Sequence, residues 1–251
     1  MTQETGRLEQ ILKSVDFFKP AATRRSFMQK LLLAGGGAAV AAAGAGKLGT
    51  VFASGSAVVD FVNAAVGAER IGIAFYGNAL GSGSDFSVAG DPSTHTLLNS
   101  SHRGYFTAAF NQESSHLAAL LANGGTFPFS HFGFPAGTFG DAPTMLAMGQ
   151  QLESIFIGAY LGAVKAGAMD ASSLGVFVAE VAAQICGIEC EHRVLINDIA
   201  AVSPPNDRFY EGDVLSPPSG ALGDTGARST VYASAGDAVN ALLALGITPS
   251  A

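Results

Sequence analysis

Glutamate and histidine stand three residues apart at two places, Glu113/His116 and Glu189/His192. Both pairs fall in stretches with helical apolar spacing. A helix turns once every 3.6 residues or so, which puts positions three apart on one face. A carboxylate and an imidazole at that spacing can grip one metal ion from a single helix. Each pair follows another apolar stretch that carries one glutamate, Glu69 before the first pair and Glu153 before the second. Four carboxylates and two imidazoles, drawn from four helices of one bundle, would form a six-ligand, two-metal site. With nine Glu and five His in 251 residues, chance supplies roughly 0.2 Glu-x-x-His pairs. Beyond their number, the order of the ligands is informative. The lead glutamates Glu69, Glu113, Glu153 and Glu189 are separated by 44, 40 and 36 residues, and each interval suits one helix plus a connection.

Helical-face analysis selects among the candidates. At about 100° per residue, Glu189 and His192 lie within roughly 60° of each other, with Ile185 and Cys186 on the same side. Glu191 is about 160° away on the other side and reads as a solvent-facing carboxylate. Phe106 and Phe110 share the face of Glu113, and Ser115 points away. Ile73 and Tyr76 follow Glu69, as Ile157 and Tyr160 follow Glu153. All four glutamates are thus expected on apolar faces. Burying an unpaired carboxylate is costly, so such a set demands cations. Structural hydrogen bonds or an oligomer interface are the bland alternatives. Tyr76 and Tyr160 sit about 10 Å along the axis from the glutamate of their own helix. They read first as core residues with bonded hydroxyls, and second as groups acting beside the centre. His95 and His102 lie too far along the helix to be ligands, and His131 falls in a connecting segment.

The elements that must position these residues follow from helix start and stop signals. The first core helix spans about Ala57 to Leu80 and ends at Gly81-Ser82-Gly83-Ser84. A second, opened by Asp91-Pro92-Ser93, runs to about Asn123, with a break near Asn99–Ser101 as an alternative. Gly124-Gly125 stops it. Residues 126–140, rich in Phe, Gly and Pro, read as a long crossover, since a short helix–helix turn needs only a few residues. Asp141-Ala142-Pro143 opens a third helix reaching about Gly167. Asp170 or Ser172 caps a fourth, which runs to about Ala200 before Pro204-Pro205. A tail with turn signals at residues 217–224 and a short helix near Ala235–Leu245 is expected to pack along the bundle. The pattern is an imperfect repeat of two helical hairpins of one design.

Charge divides the chain. Residues 1–53 carry seven Lys/Arg and three Asp/Glu, and residues 54–251 carry six and seventeen. The basic part contains Thr23-Arg24-Arg25-Ser26-Phe27-Met28-Gln29-Lys30, which looks like a twin-arginine export signal. The Gly/Ala-rich run Leu31–Gly46 that follows is shorter than the roughly 20 residues of a membrane span. Small residues suit cleavage after Ala45 or Ala53; an uncleaved basic anchor is the other reading. Three regions are therefore expected: a leader at 1–53, a four-helix bundle at 54–202, and a C-terminal extension at 203–251. The acidic balance of the latter two argues against nucleic acid as a partner. Cys186 and Cys190, one helical turn apart, read as small buried apolar residues, with a redox or soft-ligand role as the minor alternative. They do not make a disulfide scaffold.

The leader, the ligand order and the Phe/Gly/Pro crossover together resemble the exported ferritin-like domain proteins, the group that includes desiccation-related proteins. The resemblance covers roughly residues 55–245. The ligand order is also similar to that of bacterioferritin and, more loosely, of rubrerythrin and manganese catalase. The resemblance implies an all-α, ferritin-like four-helix bundle. It implies that Glu69 and His116 hold one metal and Glu153 and His192 the other, with Glu113 and Glu189 bridging. The intervals and the long tail depart from cage-forming ferritins, which speaks against a 24-subunit shell. Hard carboxylate donors with one imidazole per metal suit iron or manganese. The first expectation is a di-iron protein oxidising Fe(II) with O₂ or peroxide, exported through the twin-arginine machinery to an extracytoplasmic compartment such as the periplasm. Manganese catalase-like peroxide dismutation is the alternative enzyme, and a stress-protective bundle merely stabilised by metal is the non-enzymatic one. No membrane span is expected after processing, and the oligomeric state is left open.

Overall fold

A computed structural model describes residues 56–81, 97–170, 172–203, 205–206 and 231–250. The leader with Arg24 and Arg25, the Asp91-Pro92-Ser93 start signal, His95 and the turn signals at 217–224 lie outside these residues. Four long helices dominate: α1 (Ala57–Ala79), α2 (Ser100–Ala122), α3 (Ala142–Met169) and α4 (Ser173–Ile199). A short strand β1 (His131–Gly133) lies in the crossover, and α5 (Ala235–Ala244) and strand β2 (Thr248–Ser250) close the chain. The molecule is an all-α bundle with a long crossover between its second and third helices and a short C-terminal helix.

Each long helix starts on a side-chain cap that accepts a hydrogen bond from a backbone N–H left open in the first turn. Ser56, Asn99, Asp141 and Ser172 do this for Val59, His102, Thr144 and Gly175. Pro143 sits in the first turn of α3, where its missing N–H costs nothing. Two boundaries have clear local causes. Residues 97–99 are not helical and the second helix starts at Ser100, at the break foreseen near Asn99–Ser101: the Asn99 side chain takes the His102 N–H at 2.9 Å and sets the start there. The fourth helix stops at Ile199, ahead of the proline pair, because Ala201 turns into the left-handed region at φ 59°. Of the two caps foreseen for it, Ser172 serves, while Asp170 accepts from the Ser172 N–H at 2.9 Å.

Packing is closest between α3 and α4. Their connection brings backbones so near that a Cβ on Gly167 would lie 2.5 Å from Gly175 O. These two helices are also long and apolar enough to cross a membrane, by length and composition alone; here their apolar faces form the bundle core. The crossover is tied to α1 by Arg70, whose guanidinium donates to Phe127 O (3.0 Å) and Phe129 O (2.7 Å), and by Asn63, which accepts from Thr126 N–H. Phe127 seats over Gly67, where a Cβ would meet its ring at 2.7 Å. The crossover strand pairs antiparallel with the last residues of the chain, Phe132 opposite Pro249. That pairing holds α5 against α1 and α3. Two apolar clusters fill the bundle, one toward each end, and the glutamates lie between them.

Candidate metal centre

Glu69 comes from α1, Glu113 and His116 from α2, Glu153 from α3, and Glu189 and His192 from α4. Five of the six are buried to within 1% exposure, and His116 retains 13% of its side-chain surface. All six sequence-predicted ligands meet in one place. Their donor atoms form two overlapping sets, Glu69, Glu113, His116 and Glu189, and Glu113, Glu153, Glu189 and His192. Within each set the donors lie within 4.8 Å of one another and could hold a metal ion. Glu113 and Glu189 belong to both sets. His116 Nδ1 lies 3.3 Å from Glu69 and 3.5 Å from Glu189. His192 Nδ1 is 3.1 Å from both Glu113 and Glu189.

Protein groups alone do not satisfy this cluster. Glu69 Oε2, both oxygens of Glu113, Glu153 Oε2, Glu189 Oε1 and His116 Nδ1 are buried and form no hydrogen bond of good geometry among the described residues; two imidazoles are shared among four carboxylates. Buried polar groups in folded proteins are normally paired, and unpaired carboxylates at this depth are costly. Each donor set draws on these residues. The residues therefore fit a metal centre.

One carboxylate oxygen each of Glu153 and Glu69 is held by a tyrosine, in a reciprocal exchange. Tyr76 of α1 donates to Glu153 Oε1 of α3 at 2.5 Å, and Tyr160 of α3 donates to Glu69 Oε1 of α1. Seven residues along each helix reach the other helix's glutamate because α1 and α3 run antiparallel. Burial, followed by the charges of Glu153 and of Glu69 respectively, pushes both phenols well above their ordinary range. They stay protonated and act as donors.

A family model described as a ferritin-like domain matches residues 57–201. The chain belongs to this family. No curated protein and no solved structure matches it. The ferritin-like bundle thus supplies a buried, acidic, histidine-bearing core whose residues could bind metal.

Electrostatics without metal show strain in the charge balance. Burial, then the Glu189 charge, raises Glu113 and Glu153 well above the carboxylate range. Burial would raise Glu189 too, but His116 and His192 outweigh it and bring it to about 2. Burial lowers the His116 imidazole, but Glu189 and Glu69 overcome this and raise it to about 10. Protons thus stand in for cations: Glu113 and Glu153 hold them as carboxylic acids, and His116 as imidazolium.

Several positions behave as the face analysis implies. Glu191 and Ser115 are exposed. His102 contacts Asn99 and His131 contacts Ser130, both away from the cluster. Cys186 is buried and Cys190 half-buried, and neither joins the donor sets. Two site residues escaped the sequence reading. Gln112 Oε1 lies 2.9 Å from His192 Nε2, on the far side of the ring from Nδ1, which faces the carboxylates. Gly72 makes room for Glu113: a Cβ there would stand 2.8 Å from the carboxylate carbon. The only available signals were that Gln112 precedes the paired glutamate and that Gly72 follows Glu69 by one turn.

Proposed function

We propose that this chain is a dinuclear metal protein, with iron as the preferred metal, that oxidises Fe(II) with dioxygen or peroxide. The observation that carries this reading is the two overlapping donor sets, whose buried oxygens lack hydrogen bonds of good geometry. Glu69 and His116 would hold one ion and Glu153 and His192 the other, with Glu113 and Glu189 shared. Two divalent ions balance four carboxylates in charge. Oxygen donors with one imidazole each suit iron or manganese, whereas zinc favours fewer ligands in a tetrahedron. Iron bound there would supply two electrons, one from each Fe(II), for the reduction of dioxygen with two protons to hydrogen peroxide; the protein's part would be to hold both ions close together. Tyr76 and Tyr160 hold one oxygen each of Glu153 and Glu69, which limits rotation of both carboxylates. Glu113 and Glu153 must release their protons as metal enters.

The same donors would serve manganese and peroxide dismutation. Export by the twin-arginine route, which carries folded proteins, would let metal be acquired before the chain leaves the cytoplasm. A role in oxidative or desiccation stress accords with that location. Metal analysis of protein purified from its native host, followed by O₂ and H₂O₂ turnover, tests the reading. Iron with rapid Fe(II) oxidation supports it. Manganese with oxygen evolution from peroxide replaces it with a catalase-like function. Bound metal without turnover leaves a bundle that metal only stabilises, and overturns the enzymatic reading.

A further inference from the structure

The two hairpins can be laid over one another. A shift of 84 positions takes Glu69 and Tyr76 of α1 onto Glu153 and Tyr160 of α3, and a shift of 76 takes Glu113 and His116 of α2 onto Glu189 and His192 of α4. At one end of the bundle, Phe106 packs its ring edge-on against Tyr76, with centroids 5.3 Å apart, and is itself 2% exposed. The shift places Ala182 where Phe106 stands. At that opposite end, Ala182 and Tyr160 border a cavity of about 30 Å³, measured at the centre of a water-sized sphere, with Ala65, Leu120, Ala163 and Val178 in its wall. The ring that closes one end is missing at the other, and the space remains open.

From this we infer that the cavity is a binding pocket for dioxygen, set against the metal centre on the Glu69/His116 side. The space exceeds the roughly 10–15 Å³ that a single water needs, and so has room for a diatomic molecule. Its lining is almost wholly apolar, and apolar cavities stay dry and admit uncharged gases such as xenon. Tyr160 is the shared wall: its ring borders the cavity and its hydroxyl donates to Glu69. Asn123 and Phe177, both half-buried, stand at the outer side between α2 and α4. The assignment to dioxygen rests on the proposed reaction of the centre, whereas the pocket itself does not.

Xenon separates the two. In metal-free protein, the ¹²⁹Xe NMR shift should move saturably with xenon pressure, and Ala182→Phe, which copies Phe106 from the other end, should abolish that response. If Phe does not fold, as judged by circular dichroism, Ala182→Leu takes its place. In metal-loaded protein the same variant should bind metal in unchanged stoichiometry but react with O₂ about tenfold more slowly, equivalent to roughly 1.4 kcal/mol on the barrier. Absence of a saturable xenon response in the unaltered protein, or its survival in the variant, overturns the pocket. A xenon response with an O₂ rate indifferent to Ala182→Phe overturns the assignment to dioxygen. A xenon response in a protein that never consumes O₂ removes the assignment to dioxygen together with the reading of the centre, while the pocket itself stands.

Discussion

The Glu153/His192 half of the centre and the Glu69/His116 half share a plan and differ in their surroundings. His192 is 1% exposed, lies against Tyr76 with ring centroids 5.6 Å apart, and has its Nε2 2.9 Å from the Gln112 side chain. His116 keeps 13% exposure, and the residue that corresponds to Gln112 on its side is Ile188, which offers no acceptor. Aromatic rings, among them Phe75 and Phe106, pack the end beyond the first half. Beyond the second lies a cavity, walled by several alanines together with Phe61 and Phe177. Duplication can thus keep a ligand set while neighbouring substitutions make one half closed and preorganised and the other open. In chemical terms, one side suits tight retention of an ion, and the other suits exchange with solvent.

The strongest test removes what the halves have in common. Glu113→Ala combined with Glu189→Ala should abolish stoichiometric binding of both ions, measured by metal analysis after loading with Fe(II) or Mn(II). Because both donor sets include these two carboxylates, the ions should be lost together. Full occupancy by two metals in the double variant would sink the assignment of the site, and retention of one ion would show that the halves bind independently.

A smaller change tests how tightly the shared glutamate is fitted. Gly72→Ala puts a methyl group 2.8 Å from the Glu113 carboxylate carbon and 2.9 Å from Oε2. Its counterpart across the repeat is Phe156, so this clearance is built into one hairpin only. The carboxylate must shift, and metal affinity should fall about 10–100-fold, the range seen when the support of a ligand is disturbed. Replacing a mid-helix glycine with alanine favours the helix by roughly 0.5–1 kcal/mol, so the fold should hold. Calorimetric titration with Mn(II) checks this, and unchanged affinity would show that Glu113 does not depend on the gap.

Much of this centre is legible in the sequence, for reasons that also explain what is hidden. Glu69, Glu113, Glu153 and Glu189 are found because the 3.6-residue period places each on an apolar face, where a carboxylate needs a cation. The crossover shows itself as a Phe/Gly/Pro stretch without that period. Gln112 escapes because it bonds a histidine 80 positions away on another helix, and such a contact leaves no local pattern. Gly72 escapes because the space it leaves belongs to a neighbour. The pairing of His131–Gly133 with Thr248–Ser250 escapes because three residues are too few to display alternation. The antiparallel exchange of Tyr76 and Tyr160 was half visible: the spacing gave a matched pair, but only the packed helices reveal that each serves the other's glutamate.

Changing only the closed half should give a one-sided effect. Gln112→Leu removes the acceptor for His192 Nε2 and leaves the Glu69/His116 set untouched. A freed imidazole can take the wrong tautomer or rotate, so the ion at Glu153/His192 should bind about tenfold more weakly, the low end of such effects. Mn(II) titration should then show one weakened site. Equal weakening at both, or none, would remove the contrast drawn between the halves.

The mildest expected effect is on stability without metal, and it comes chiefly from the open half. His116 is raised from its ordinary 6.5 to about 10 in the folded chain. Its contribution is therefore full below pH 6.5 and is lost as pH rises toward 10. Glu113 and Glu153 are also raised, so the fold favours their protonated forms and loses that advantage as pH climbs above the ordinary carboxylate range. Glu189, lowered from 4.5 to about 2, acts in the opposite sense: its contribution is present above pH 4.5 and is lost only as pH falls toward 2. His116 pushes this way between pH 6.5 and 9, and the two raised carboxyls act in the same sense above their ordinary range, so the melting temperature of metal-free protein should decline across that window. For a domain of this size each kcal/mol corresponds to about 2–4 °C. Bound Mn(II) displaces the protons and supplies the missing positive charge, so the metal-loaded protein should show a flatter profile over pH 6.5–8.5. His116→Leu should flatten part of the metal-free profile as well, because it removes one of the groups whose protonated form the fold favours. A metal-free melting temperature that stays constant or rises from pH 6.5 to 9 would show that the protonated cluster does not stand in for the cations.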